Sequence, residues 1–474
     1  MKFSKVPVEI ESEKMLTSGP TREMVVMGTK NYLGLYENIH LQWFAGATHY
    51  IRSGLAHNGD GTTWGAAASD GAAGAFNAIP AMQVRGDTYY IATGTYAAAV
   101  YDQALSGTTR ITFKGATAAD HGTDTGWSAS YGVDVTPAHF SNSGEFNFKF
   151  AYTGDTGYYT IDGNCGSGKT TGSYGFVMDA PASGNQYCFI CGFNNHNCPG
   201  MIFKHIYAKA TTAVADRFFV CTSTQVGSFT YPTISNCYAD SFQGFINSYV
   251  DLPTGFLVER NYIMNGWNDE PTSHHGEDIN INSTVTGATI RYNWFEGRNG
   301  GTGVIVGNNG LMTASFIYGN VFKDCIFDGN GIITDSSSGK ISNNFIYNNT
   351  FIHCNVSGGW FHAEYSQSSG NTLRNNLLYD MDAGYTLQDG TADYNAYFSC
   401  SGVPSETHGQ SSATNPFVDS SGGNYHLSGH TTGGVNLGSP YDVDMDGVTR
   451  TTWDRGAYEY AGSPPAPMMS YVKH

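Results

Sequence analysis

The chain has 474 residues, with 40 acidic against 23 basic side chains and a formal charge of −17 at pH 7. Since it contains no basic run and no stretch close to the ~20 apolar residues of a membrane-spanning helix, we expect neither nucleic acid nor membrane as a partner. Its 60 glycines, 14% aromatic residues and 13% charged residues predict turn-rich β structure.

Residues 1–45 lie outside the repeat described below, and we predict that they form an N-terminal anchor that attaches the protein to a partner. The segment begins with the charged stretch Met1–Glu11, which lacks the apolar run of a secretory signal peptide. We therefore expect synthesis and folding in the cytoplasm. A signal trimmed from a recombinant chain is the alternative explanation.

Residues 46–85 are predicted to lead into the repeat and to cap its first coil. Within them, the alanine-rich stretch 70–82 is expected to form a short amphipathic helix over the apolar end of the repeat. The repeat itself is expected over residues 86–430. Residues 431–474 are expected to form a closing segment and an extended, proline-containing tail.

Nine cysteines are present, and five residues in the middle of the chain have a spacing that invites a zinc site. These five are Cys188, Cys191, His196, Cys198 and His205. Their spacing fits no common zinc knuckle, so we favour buried thiols stacked inside the fold. An odd number of thiols also favours folding in a reducing compartment.

A short pattern recurs from residue 258 to residue 398: an apolar residue, two free positions, an asparagine, one free position and an apolar residue. Its asparagines are separated by 19 to 32 residues and are Asn261, Asn293, Asn320, Asn344, Asn376 and Asn395. A period in the twenties with insertions, made of short alternating strands, predicts a solenoid of stacked coils. Asparagine in one column can form a ladder, because its amide donates and accepts hydrogen bonds at once and tolerates the left-handed turn that bends the chain.

This pattern resembles that of the right-handed parallel β-helix proteins, the pectate-lyase-like family. The stretch 86–96 looks like the first coil of that family, and 444–450 with 454–460 looks like its closing segment. The resemblance implies an all-β, right-handed parallel β-helix solenoid. It does not fix the activity, because this fold serves lyases, hydrolases, phage tailspikes, adhesins and shafts without enzymatic function.

The first candidate site lies between the repeats at 258 and 290. With Ile279 and Ile281 inward, Asp278, Asn280 and Asn282 are expected to face solvent. We expect Glu277 to sit at a corner, where burial raises its pKa beside an ionised Asp278, as acid/base catalysis on a sugar requires. The preceding residues His274 and His275 are predicted to bind the substrate.

The second candidate site lies on the equivalent strand three coils later. Alternation predicts that Trp360, His362 and Glu364 face outward, with Trp360 stacking on a sugar ring. Asp335 is expected beside Glu364 at about one strand spacing, close to the ~5–5.5 Å of a retaining glycosidase. Glu277 and Glu364 would be about 14 Å apart, the length of a groove for several sugars. Solvated surface residues are the alternative for both sites.

A third set of carboxylates, Asp442, Asp444 and Asp446, copies the opening of a calcium loop. The twelfth position of such a loop should be a glutamate but is Trp453. A tight turn is therefore the favoured interpretation, and calcium is the weaker one. No other cofactor is expected.

Two functions fit these expectations best. The first is a virion-associated, tailspike-like spike that binds a host cell-surface polysaccharide, with or without hydrolysing it. This spike would be homotrimeric and would dock to other virion proteins through residues 1–45. The second is a structural or decoration protein of the virion without enzymatic activity. A secreted polysaccharide hydrolase or lyase, located outside the cell, is a third. We expect no cluster of outward Lys or Arg near Glu277, Asp278 or Glu364, which disfavours a lyase.

Overall fold

The computed structural model describes residues 46–462 and three earlier strands, except for short gaps. The gaps are at residues 152, 170, 181–186, 193–195, 211–216, 222–231, 250, 253–254, 267–275, 328–330, 357–358 and 366–367. The described part contains 44 strands and two 3₁₀ helices, Ala129–Tyr131 and Thr171–Ser173, and no α-helix. Within it, no helix is long and apolar enough to cross a membrane.

Three long sheets of parallel strands make up the body of the protein, and we call them sheets I, II and III. Sheet I has twelve strands: Thr48–Ile51, Thr88–Ile91, Ile111–Gly115, Tyr159–Asp162, Ile202–Lys204, Thr233–Ser235, Leu257–Glu259, Thr289–Arg291, Phe316–Tyr318, Phe345–Tyr347, Thr372–Arg374 and Thr391–Asp393. Sheet II has twelve: Gly94–Tyr96, Ala138–Phe140, Phe176–Met178, Ile206–Lys209, Tyr238–Asp240, Tyr262–Met264, Trp294–Glu296, Val321–Lys323, Thr350–Ile352, Leu377–Tyr379, Ala396–Phe398 and Gln410–Ser412. Sheet III has ten: Ala99–Tyr101, Phe146–Phe150, Tyr187–Cys191, Arg217–Cys221, Gly244–Ser248, Ile279–Ile281, Ile305–Gly307, Ile333–Asp335, Phe361–Ala363 and Tyr385–Leu387.

Smaller sheets complete the architecture. A three-stranded sheet between sheets III and I contains Val285–Thr286, Leu311–Thr313 and Lys340–Ser342. Two strand pairs are Ile326–Phe327 with Asn355–Val356, and Phe417–Asp419 with Asn424–Leu427. An antiparallel sheet of Glu13–Met15, Met24–Lys30 and Tyr36–Trp43 lies within the predicted anchor, whose attachment role stays a prediction.

The chain visits the three sheets in turn and then begins the next coil. From Leu257–Glu259 it passes through Tyr262–Met264 and Ile279–Ile281 before it returns to sheet I at Thr289–Arg291, where Ile290 lies opposite Val258. Each new strand thereby satisfies the backbone edge of the strand before it. The predicted all-β, right-handed parallel β-helix is confirmed.

The interior of the coil is a continuous apolar core in which like residues stack. Phe295, Phe322 and Phe351 lie one above another, with ring centroids 4.9 and 4.8 Å apart and rings within 6° of parallel. The buried thiols of Cys188, Cys191 and other cysteines belong to the same core. Stacking by one strand spacing brings identical positions into van der Waals contact, which explains why the core grows with each coil.

The predicted asparagine ladder exists at the corner between sheets I and II, with one member replaced. Its members are Asn261, Asn293, Asn320, Asn349, Asn376 and Asn395, each amide Nδ2 donating to the Oδ1 of the next at 2.9–3.1 Å. Each Nδ2 also donates to a backbone carbonyl of the coil before, as Asn320 does to Ile290 at 2.9 Å. The carboxylate of Glu406 ends the ladder by accepting from the backbone N–H and Nδ2 of Asn395.

Asn344 was wrongly placed in this ladder and belongs to a second file at the entrance to sheet I. There its Nδ2 donates to Oδ1 of Asn371 at 3.1 Å, and its Oδ1 accepts from the backbone N–H of Ser315 at 2.9 Å. The error arose because the doublets Asn343-Asn344 and Asn348-Asn349 both precede an apolar strand. Hydrogen-bonded rows of side chains therefore lie at both ends of the sheet I strands: the row with Ser315, Asn344 and Asn371 where the strands begin, and the asparagine ladder where they end.

The bend at the ladder is made by the residue before each asparagine, contrary to the expectation that the asparagine itself turns the chain. Arg260 and Tyr292 have φ of 56° and 57°, and Asn348 has φ of 53°. The asparagine that follows provides the hydrogen bonds that hold this left-handed residue in place.

The first coil begins earlier than expected. Thr48–Ile51 is already a strand of sheet I and pairs with Thr88–Ile91. The helix expected over 70–82 is not found; these residues form turns, and Phe76 makes an isolated bridge to Ile51. Phe76 and Ile79 pack against the main core at this end, whereas the buried Trp64 packs on Tyr50 at 4.9 Å in a separate small cluster.

The C-terminal segment packs along the side of the solenoid. Residues 441–458, which we call the strap, cover outer side chains of sheets I and II. Tyr441 packs on Tyr318 and Tyr347 of sheet I. Met445 and Tyr458 belong to the same apolar cluster as Met264 of sheet II. Arg260 donates to the carbonyl of Met445 at 3.2 Å, and the N–H of Gly456 donates to the carbonyl of Asn375 at 2.7 Å. The strap thus spans the coils from Arg260 to Asn375.

Candidate functional site

Sheet III carries two outward columns of side chains, which differ in exposure. The penultimate residues of successive strands form the first column: Asn247, Asn280, Val306, Thr334, His362 and Thr386. The residues directly after these strands form the second, which we call the edge column: Tyr249, Asn282, Asn308, Ser336, Glu364 and Gln388. All of the first column except Thr386 is buried, whereas every member of the edge column is partly or fully exposed.

The first candidate site is a buried cluster at the corner before sheet III. Asp278, expected to face solvent, is only 2% exposed and pairs with Arg298, Oδ1 to Nη1, at 3.0 Å. Asn280 is buried too, and its Nδ2 donates to Oε2 of Glu277 at 3.1 Å. Glu277 is buried, as expected for a corner position. His274 and His275 lie outside the described residues.

The charge distribution in this cluster differs from the expectation. Burial, opposed by the guanidinium of Arg298, raises the pKa of Asp278 to about 6. Asp278 is therefore not the fully ionised partner that sequence reasoning assigned to Glu277. A buried charge is tolerated here because it is paired and hydrogen-bonded.

Two buried arginines lie in the cluster, and sequence reasoning did not name them, because its expectation concerned only outward Lys or Arg. Arg298 also donates to the carbonyls of Phe242 and Gln243, and Arg217 donates to Oε1 of Gln243 at 2.6 Å. A Cβ at Gly266 would lie 2.3 Å from Nη1 of Arg298, so that glycine makes room for the buried pair. The arginines come from distant coils, and no local pattern predicts their meeting.

The second candidate site is a chain of three side chains that runs from the interior to the surface. Asp335 is fully buried, His362 lies in the first outward column, and the Glu364 side chain is 66% exposed. Nδ1 of His362 lies 3.4 Å from Oδ1 of Asp335, and Nε2 lies 3.1 Å from Oε2 of Glu364. With a carboxylate at each ring nitrogen, both nitrogens are placed to donate, which favours the charged imidazolium.

The same contacts set the protonation of His362. The hydrogen bond to Asp335 and the nearby charges of Asp335 and Glu364, opposed by burial, raise the pKa of His362 above its ordinary 6.5. Asp335 is itself fixed, since it also accepts from the backbone N–H of Tyr365 at 3.1 Å. Asp335 therefore orients the ring, and His362 and Glu364 are the groups that can reach a substrate.

The expected side-by-side pair of Asp335 and Glu364 is not present. Asp335 lies opposite Gly307 in the inward column at the end of its strand, and His362 stands between the two carboxylates. The prediction that these two groups form a retaining-glycosidase pair is wrong for that reason.

Trp360, expected to face outward and stack on a sugar, is fully buried in the core. Its ring packs on Phe351 at 4.8 Å. The strand begins only at Phe361, after Gly359 with φ of 88°, so the alternation of side chains does not extend back to Trp360. The prediction of a stacking role for Trp360 is wrong.

The edge column contains Asn282, which was expected to face solvent and is partly exposed, and Tyr249, which sequence reasoning missed. Asn282 donates from Nδ2 to Oδ1 of Asn247 at 2.8 Å, and the exposed Asn309 donates in the same way to Asn282 at 3.0 Å. Asn247 in turn donates to the hydroxyl of Tyr249 at 3.0 Å. These residues follow strands of different coils, and only the stacking register reveals that they form one row.

The carboxylates at 442–446 form the favoured tight turn. Both oxygens of Asp444 are engaged by backbone N–H groups: Oδ1 accepts from Asp446 and Val448, and Oδ2 accepts from Glu459. Asp446 pairs with His426 at 2.7 Å. Calcium at this turn stays a prediction.

The cysteine cluster follows the favoured interpretation as well. Cys188, Cys191 and Cys198 are buried free thiols, and His205 pairs with Asp162 at 2.6 Å. Among the residues that the structure describes, no group of three or more His, Cys, Asp or Glu is arranged to hold a metal ion.

Comparison with known proteins supports no identification. No protein-family model matches the chain, and no curated protein is significantly similar in sequence. Among solved structures, pectate lyase Pel9A is similar at 14% identity over 88% of this chain and 97% of its own, with a TM-score of 0.45. The GH136 lacto-N-biosidase from Eubacterium ramulus, at 9% identity over 78% of this chain and 68% of its own, has a TM-score of 0.38. The PL6 alginate lyase AlyGC, at 12% identity over 81% of this chain and 57% of its own, has a TM-score of 0.35. Similarity at this level carries no argument about activity.

Proposed function

We propose that this protein binds a polysaccharide along the edge column of sheet III and hydrolyses it at His362 and Glu364. The observation that carries the proposal is the chain from buried Asp335 through His362 to exposed Glu364. It puts an acid and a carboxylate at an accessible position in a row of amides and hydroxyls. Such a row suits a hydroxyl-rich polymer, which amide groups bind by donating and accepting together.

The reaction follows from the exposed Glu364 and the buried His362 beside it, whose Nε2 lies 3.1 Å from Oε2 of Glu364. The imidazolium of His362 transfers its Nε2 proton to the glycosidic oxygen, and the bond from that oxygen to the anomeric carbon breaks. Water attacks the anomeric carbon while Glu364 accepts its proton, and that proton returns to His362. Asp335 touches no substrate; it holds the ring by Nδ1 and favours its charged form.

The setting of this activity is part of the proposal. We propose a virion-associated spike that meets a host cell-surface glycan, is trimeric and docks through residues 1–45. All nine cysteines are free thiols, which supports folding in a reducing cytoplasm. Adhesion without cleavage is the second candidate. It is favoured because Oε2 of Glu364 already accepts from Nε2 of His362, the nitrogen that would have to protonate the substrate.

Incubation of the purified protein with extracted cell-surface polysaccharide, followed by chain-length analysis and counting of reducing ends, tests the proposal. We expect shortened chains, with a rate that falls about 10²–10⁴-fold in Glu364→Gln and His362→Asn. His408→Asn is the matched control, because His408 forms an equivalent pair with Asp393 at 2.8 Å away from sheet III. Cleavage that persists in both site variants would contradict the assignment. Binding without any cleavage would favour the adhesive spike.

A further inference from the structure

We infer that the polysaccharide is a neutral one and that Tyr249 holds it at the end of the edge column remote from Glu364. This inference rests on the proposed function and names the substrate class of the same site. It stands on three observations: an exposed aromatic ring, a row of linked amides, and the charges along the column.

Tyr249 is the aromatic platform that Trp360 does not provide. Its side chain is 52% exposed, and no other aromatic residue in the described part of the chain is so accessible. The ring is not loose, because its hydroxyl accepts from Nδ2 of Asn247. An exposed ring held by its polar end suits stacking on the apolar face of a sugar.

The amides beside Tyr249 form a row in the direction of Glu364. Asn247, Asn282 and Asn309 are joined by Nδ2-to-Oδ1 hydrogen bonds of 2.8 and 3.0 Å. Each link uses one N–H of the donating amide and leaves the other for a further partner. Successive coils repeat at about 4.8 Å. Asn247 is buried and supports the row from behind, whereas the accessible amides of Asn282 and Asn309 can bind the hydroxyls of neighbouring sugars.

The charges along the column disfavour an acidic polysaccharide. None of the six edge-column residues is Lys or Arg, and Glu364 adds a negative charge. Arg217 and Arg298 are buried and engaged by Gln243 and Asp278. The sequence of the gaps, 267–275 included, contains no Lys or Arg. The nearest cation along the chain is Lys340, on the small sheet between sheets III and I.

The row is long enough to bind a chain well beyond the point of cleavage. Tyr249 and Glu364 follow strands that are four steps apart in sheet III, which corresponds to about 19 Å. Binding at Tyr249 should therefore depend little on the chemistry at Glu364. The two functions of the column can be separated by mutation.

The test is a glycan array that carries neutral, sialylated and uronic-acid-containing glycans, probed with the labelled full-length protein. We expect signals on neutral glycans, with affinity reduced about tenfold in Tyr249→Ala and reduced less in Tyr249→Phe, which keeps the ring but loses the hydrogen bond from Asn247. Asn309→Ala should also weaken binding. Val135→Ala removes another exposed apolar side chain, 67% accessible, and should change nothing.

Three outcomes overturn parts of this account in distinguishable ways. Signals confined to acidic glycans and lost in Lys340→Ala would overturn the neutral class and leave the site in place. Neutral binding that is unchanged in Tyr249→Ala would overturn the Tyr249 subsite alone. No signal on any glycan, with unaltered folding, would overturn the proposed function together with the inference.

Discussion

Sheets II and III belong to the same coils but treat their outer faces in opposite ways. The outer face of sheet II carries apolar and aromatic residues such as Met264, Trp294 and Phe398, and the strap and the strand pair at 417–427 cover it. The outer edge of sheet III carries asparagines, Ser336, Glu364 and an exposed tyrosine, and these remain accessible. The face that the chain leaves open, rather than the one it covers, is where a partner can bind.

The comparison also separates two uses of asparagine. At the corner of sheets I and II, Asn293 and Asn320 are fully buried and hold the backbone turn. On sheet III, Asn282 and Asn309 are linked by the same hydrogen bond but are accessible to solvent. Burial, and not residue type, distinguishes the structural row from the functional one.

The largest effect is expected when the covered face is opened. Tyr441→Ala removes a strap ring where the cover continues onto sheet I; the ring packs on Tyr318 and Tyr347 at 4.9 and 5.1 Å, and its loss should lower the free energy of unfolding by roughly 3–5 kcal/mol. Asn282→Ala on the open edge should change it by about 0.5 kcal/mol or less. Denaturant unfolding measures both. Equal losses would break the comparison between the two faces.

A somewhat smaller effect is expected inside the ladder. Asn320→Ala leaves the buried carbonyl of Ile290 and the N–H of Asn293 without their partner, which should cost about 2–4 kcal/mol. Asn309→Ala, which removes an exposed amide, should be nearly neutral for stability. If Asn320→Ala were as stable as the wild type in the same unfolding experiment, the asparagine ladder would not stabilise the corner between sheets I and II.

The smallest effect concerns pH. The folded state raises the pKa of His362, so its stabilisation is fully present below the unfolded value of 6.5 and is lost as pH rises through the folded pKa. Asp335→Asn should therefore destabilise the protein more at pH 6 than at pH 9. NMR titration of His362 should show its pKa falling in that variant. An unchanged titration would mean that Asp335 does not set the protonation of the ring.

Much of the fold could be predicted from sequence, because stacked coils place the same residue types at equivalent positions, which appears in the sequence as a short repeated pattern. The asparagine and its flanking apolar residues recur in each coil, and one short pattern indicates parallel strands, the corner and the ladder. The same pattern failed at Asn344, because residues 343–349 contain two asparagine doublets and only the paired register selects Asn349.

The candidate site was predicted only in part. His362 and Glu364 were found by alternation from Phe361, whereas the extension to Trp360 failed because Gly359 interrupts the strand. Asp335 lies at a strand end, where alternation directs its polar side chain toward the apolar interior. Pairing with His362 stabilises the carboxylate at this buried position. Arg298 could not be found, since its partners Asp278 and Gln243 come from other coils. Tyr249 lies before the repeat at 258–398, so no pattern assigned it to a row.

The most direct test of the central claim is hydrogen exchange of the protein with and without the best-binding glycan of the array. Binding on the open edge predicts slower exchange in the segments around Tyr249, Asn282, Asn308, Ser336 and Glu364, with no change in the strap at 441–458. Protection of the strap, or of sheet II instead of sheet III, would contradict the account.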